Sequence, residues 1–108
     1  MKLTFYGAAR MVTGSNFLLE DLPALSAGNA QAGGRQAGTR ILVDCGLRQC
    51  PRYCEVQNFE EFPYDPATID AVLVTHAHID HIGRIPKLYK HGFRGQIYST
   101  TPTKEFAN

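Results

Sequence analysis

Residues 75–81 read Thr-His-Ala-His-Ile-Asp-His, three imidazoles and one carboxylate within six positions behind an apolar run. Free histidines have no packing reason to crowd in this way. Imidazole nitrogens and carboxylate oxygens are good zinc ligands, at about 2.0–2.2 Å. The plain alternative is a set of separate polar loop residues, with Asp80 favourable at a helix start on dipole grounds alone. Against it, three neighbouring imidazoles repel when charged and desolvate badly when buried, and dense His/Asp clusters are metal-site signatures.

The flanking residues say how such ligands would be aimed. Ala71-Val72-Leu73-Val74-Thr75 is almost wholly apolar, which predicts a strand buried on both faces. Ile79, Ile82, Ile85, Leu88 and Tyr89 recur at helical spacing. They predict a helix from about residue 80 to 90, stopped near Gly92, with Pro86 tolerated in an early turn or kinking it. The cluster then occupies a loop at a strand's carboxyl end, where open α/β sheets put their sites. His76 and His78 are i, i+2 and point the same way from extended backbone, while Asp80 and His81 sit on the first helical turn. One short segment thus aims two pairs of ligands at two neighbouring points. Two points suggest two metals, about 3.5–4 Å apart, which activate a shared water and stabilise charge on an attacked phosphoryl or carbonyl group.

The remaining elements are coarser. Residues 3–6, 16–20, 40–43 and 96–99 read as strands, and Thr101-Pro102 opens a helix with proline at its first position. Asp65 is placed to cap a short turn at 66–69. Residues 21–39, rich in Ala, Gly and Gln, have no periodicity and read as a mobile loop or insertion.

The chain has 108 residues and a net charge of +1, so it reads as one modest domain without a strong field for nucleic acid or membrane. No stretch approaches the roughly 20 apolar residues of a membrane span, and no secretory leader pattern opens the chain, which favours a cytoplasmic location. Three cysteines, Cys45, Cys50 and Cys54, are expected to be reduced thiols, with Cys45 buried. The Cys50–Cys54 spacing suits a metal, but no second pair follows. Lys87, Lys90 and Arg94 form a basic group, expected to be a solvated face, with phosphate contact as the alternative.

The pattern His76-Ala77-His78-Ile79-Asp80-His81 resembles the H-x-H-x-D-H signature of the metallo-β-lactamase superfamily. Three further stretches resemble its β-CASP branch of RNA-processing nucleases: Gly7 to Ser15, Leu42 to Leu47, and Ile82-Gly83-Arg84-Ile85-Pro86-Lys87-Leu88. The resemblance implies an α+β layered fold, the N-terminal part of an αββα sandwich with a mixed β-sheet and flanking helices. It also implies a site for two zinc ions, with His76 and His78 on the first, Asp80 and His81 on the second, and Asp80 in a catalytic role. Asp44, at a strand end, would orient a ligand by hydrogen bonding, against a plain turn aspartate as the alternative. The Gly7–Ser15 loop is either a turn built on its glycines or a phosphate contact through its amides, Arg10, Thr13 and Ser15. His91 is expected to serve at a helix end.

A dinuclear site of this family needs a later histidine, a bridging aspartate and a further histidine. After His81 the sequence offers only His91 and Glu105. The expectation is therefore that residues 1–108 form a partial metallo-β-lactamase-like domain, without the β-CASP cap and inactive alone. The implied activity of a full-length parent is zinc-dependent hydrolysis of RNA phosphodiesters. The alternatives are a thioesterase of glyoxalase II type and a truncated non-catalytic binding module.

Overall fold

The computed structural model describes residues 1–10, 12–21, 38–52 and 55–107. Five strands form one mixed sheet in chain order: β1 (Lys2–Gly7), β2 (Asn16–Glu20), β3 (Arg40–Val43), β4 (Ala71–Leu73) and β5 (Gln96–Tyr98). The first three are antiparallel, and β3, β4 and β5 run parallel. This topology decides where the chemistry sits. Antiparallel pairing brings the start of β2 to the same edge as the carboxyl ends of β3 and β4. Residues 15, 44 and 75 are therefore neighbours although they lie far apart in sequence. The expected loop at 21–39 lies outside the described residues except at its ends, where the Asp21 amide donates to the Thr39 carbonyl (2.9 Å).

Leu18, Leu42 and Val72 share one face of the sheet and are fully buried, beneath Leu88, Phe93, Ile69, Tyr64 and Cys45. Each large side chain fully buried there contributes about 1.5–3 kcal/mol, so this face holds the core. The opposite face carries the row Phe5, Phe17, Val43, Leu73 and Tyr98, in register across all five strands. Leu73 is 40% exposed and Tyr98 57%. The expectation that strand 71–75 is buried on both faces is corrected: among the described residues, only one face is covered.

The single helix expected over 80–90 is two, α1 (Ile79–Ile82) and α2 (Ile85–Lys90). Two causes separate them. Pro86 has no N–H to give back to residue 82, and it lies in the first turn of α2, where that lack is harmless. The α1 carbonyls are also taken by other segments: Ser15 N donates to Asp80 O (2.9 Å), Cys45 N to His81 O (2.8 Å) and Leu47 N to Ile79 O (3.0 Å). A last helix, α3, spans Thr101–Ala107. Asp65 caps the 3-10 turn Pro66–Thr68 by accepting from Ala67 N (3.0 Å). Cys45 is a free, buried thiol, whereas Cys50 is disulfide-bonded, which corrects the expectation of reduced thiols throughout. Cys50 belongs to an irregular stretch outside the core, where a thiol is not sequestered as Cys45 is.

Candidate metal centre

The loop from Thr75 to His78 leaves the edge of the sheet and runs into α1. His78 is the N-cap of α1 with extended backbone (φ −69°, ψ 145°), and Asp80 and His81 follow in the helical turn. The ring centroids of His76 and His78 are 4.7 Å apart, and those of His76 and His81 only 3.8 Å. His81 Nε2 is 3.4 Å from Asp80 Oδ2. The four side chains therefore form one continuous group, with His76 nearest to His81.

Asp44 organises this group from below. It follows β3 in the left-handed region (φ +59°) and is 1% exposed. The Thr75 amide donates to its Oδ1 (2.9 Å), and the Thr75 hydroxyl lies 2.9 Å from Oδ2. The Ser15 hydroxyl donates to Oδ2 (2.9 Å), and His81 Nδ1 lies 2.7 Å from the same oxygen. A carboxylate only accepts, so this short contact puts a proton on His81 Nδ1, while Nε2 faces Asp80. Thr75 Oγ1 is also 3.1 Å from His76 Nδ1. Having donated to Asp44, it accepts there, and the His76 ring presents Nε2.

Main-chain bonds fix the histidine-bearing turn independently of its side chains. Gly46 lies so close to α1 that a Cβ on it would stand 1.6 Å from Asp80 O. Arg84, 5% exposed, donates through Nε to Gly46 O (2.5 Å), while its own amide donates to Cys45 O (2.9 Å). Its guanidinium lies 5.5 Å from the Phe62 ring centroid. Lys87 Nζ donates to the carbonyls of Asn58 and Glu60 and lies 4.9 Å from the same ring. Arg94 donates to the Tyr89 and Phe93 carbonyls. Two members of the basic group are thus engaged with backbone oxygens. His91 is the C-cap of α2, with its ring in a T-shaped contact with Phe62 (centroids 6.1 Å apart).

The expected substrate contacts separate. Arg10 is exposed with φ +63°. The Thr13 hydroxyl donates to Gln49 O (2.6 Å) and accepts from Gln49 N (2.9 Å), which ties the loop down. Ser15 is 3% exposed with its hydroxyl turned inward to Asp44, so the expectation of direct substrate contact through that side chain gives way. Sequence reasoning missed Thr75, whose only signal was its place directly before the cluster.

Among the described residues, no three His, Cys, Asp or Glu side chains already converge as a metal-holding set. The donor chemistry nonetheless fits zinc: two imidazoles present Nε2, and His81 is backed by a buried carboxylate, the usual support of a metal-bound histidine. The residues fit as part of a site.

A family model described as a β-lactamase superfamily domain matches residues 39–105. Over 103 residues the chain is 46% identical to "Ribonuclease TTHA0252" of Thermus thermophilus, covering 95% of this chain and 20% of that protein. Over 70 residues it is 43% identical to transcription termination factor FttA of Methanocaldococcus jannaschii, covering 62% of this chain and 11% of the relative. Over 69 residues it is 41% identical to cleavage and polyadenylation specificity factor subunit 3-I of Arabidopsis thaliana, covering 62% and 10%. The chain spans about a fifth or less of the length of these relatives. The matched region holds β3, β4, β5 and the whole histidine cluster, and the chain belongs to the metallo-β-lactamase superfamily, in its β-CASP branch.

Proposed function

We propose that the protein is a zinc-dependent hydrolase of RNA phosphodiesters in which this chain supplies one portion of a dinuclear site. The observation that carries the reading is the gathering of His76, His78 and His81 around a turn whose last histidine is held by Asp44 (2.7 Å). His76 and His78 would hold one zinc, and Asp80 and His81 the other. Bound zinc supplies a Lewis acid that activates water and stabilises charge on the attacked phosphoryl group. Asp80, the carboxylate within the cluster, is the proposed catalytic group. Asp44 acts one step removed, by keeping His81 Nε2 toward the site. Arg10, exposed on a loop whose neck reaches this edge, is the proposed phosphate contact, with Thr13 holding the loop's shape.

The names of two relatives, a ribonuclease and a cleavage and polyadenylation factor, support RNA as the substrate class. Residues 1–108 would form part of a metallo-β-lactamase domain. Further ligands and a second layer over the Phe5–Tyr98 row would come from additional chain. No described helix is long and apolar enough to cross a membrane, and a cytoplasmic location belongs to the proposal.

The test is zinc content and cleavage of labelled RNA, for the 108-residue chain and for the full-length protein, each with His78→Ala. The expected result is RNA cleavage by the full-length protein, lost with His78→Ala, and little turnover by the short chain. Cleavage of a thioester but not RNA would transfer the assignment to a thioesterase. Robust RNA hydrolysis by the short chain would overturn its reading as a part.

A further inference from the structure

We propose that Ser15 is a positioning residue of the metal centre, acting through Asp44 to fix the His81 ring; this rests on the metal-centre reading above. Ser15 joins two of the segments that build the site, the stretch after β3 and α1. Its hydroxyl donates to Asp44 Oδ2 (2.9 Å), its amide donates to Asp80 O (2.9 Å), and its carbonyl accepts from Gly46 N (2.9 Å). The next residue continues the clasp, with Asn16 Nδ2 donating to Asp44 O (2.9 Å).

Geometry decides what the hydroxyl does. Asp44 Oδ2 also receives His81 Nδ1. An oxygen held by Ser15 on one side and by Thr75 on the other has little freedom to turn away from the imidazole. The carboxylate is 1% exposed, so water does not compete for that role. The loop before Ser15 is set to deliver it. Gly14 takes φ +78°, and a Cβ on Gly7 would stand 1.8 Å from Gly14 O, so the loop closes at a glycine neck immediately ahead of Ser15. Removing Oγ alone leaves both main-chain bonds of Ser15 in place, so the fold and the hydroxyl's role are separable.

The experiment reads His81 directly. Long-range 1H–15N NMR of the metal-free full-length protein reports which ring nitrogen carries the proton. Wild type should show His81 as the Nδ1–H form, and Ser15→Ala should lower the Nδ1–H to Nε2–H ratio by at least about twofold. Cobalt(II), titrated into the full-length protein, is the second probe. Ser15→Ala should weaken its binding about threefold to tenfold, less than loss of a direct ligand partner, and shift its visible bands. Ser15→Thr, which keeps Oγ, should restore both readings. If Ser15→Ala does not fold, Ser15→Cys fills the same space with a weaker donor and should give the same changes at smaller size. An unchanged tautomer and cobalt spectrum in the folded variant overturn the proposal. Wild type that takes up no cobalt overturns the metal reading instead, and the tautomer ratio then judges Ser15 alone.

Discussion

Asp44 Oδ2 lies 2.7 Å from His81 Nδ1, joining residues 37 apart in sequence through one buried contact. Asp44 directly follows β3, His81 lies in α1 beyond the neighbouring strand β4, and neither position is free to drift. Asp44 N is bonded to Leu73 O (2.9 Å), and His81 O accepts from Cys45 N (2.8 Å).

Replacing Asp44 by Asn tests that contact. Asn tolerates the left-handed backbone that Asp44 adopts (φ +59°). Its amide, however, turns an NH2 toward either the His81 and Ser15 donors or the Thr75 amide. Zinc affinity should fall about 10- to 100-fold, measured by chelator competition. An affinity equal to wild type would show that Asp44 has no part in orienting His81.

Gly46→Ala addresses the backbone beneath the histidine cluster. The added Cβ would stand 1.6 Å from Asp80 O and 2.9 Å from His81 N, and both are main-chain atoms with no rotamer to relieve the overlap. The variant should lose at least about 2 kcal/mol of stability, read by urea melts. A melt that overlays wild type would mean that α1 is free to shift.

Arg84→Lys is a conservative change by charge but not by shape. The guanidinium donates to Gly46 O through Nε while its plane lies beside Phe62. A lysine ammonium is a point donor on a flexible stem and cannot do both. A loss of about 1.5–3 kcal/mol is expected, again from denaturant melts, and full stability in the lysine variant would rule out the bridging role.

Cys45 predicts an alkaline instability. Burial pushes its thiol up from 9.0 to about 11, with the nearby Arg84 acting the other way. A raised folded value means the stabilisation is fully present below pH 9 and is lost as pH rises toward 11. Between pH 8 and pH 10, wild type should lose about 1 kcal/mol more than Cys45→Val. Lys87 is shifted down, chiefly by desolvation, and works in the opposite sense, so the difference between the two proteins is the quantity to measure. Equal slopes would mean that Cys45 ionises as freely in the fold as in the unfolded chain.

The sequence by itself determined the chemistry and most of the elements. His76, His78, Asp80 and His81 are local, and a strand end followed by a helical turn is enough to put them on one short segment. The strands at 16–20 and 40–43, and the Asp65 cap, were legible for the same reason: their patterns act over a few residues. Tertiary structure decided how the group is held. Nothing in the spacing of Ser15, Asp44 and Thr75 marks them as neighbours. They meet because β2 runs antiparallel to β3 and β3 parallel to β4, and strand order and register depend on contacts across the whole sheet. The break between α1 and α2 has the same origin, since the carbonyls of Asp80 and His81 are claimed by Ser15 and Cys45 rather than by the next helical turn. Helical periodicity continues through residues 83–84, but hydrogen bonds from two distant segments end the helix there.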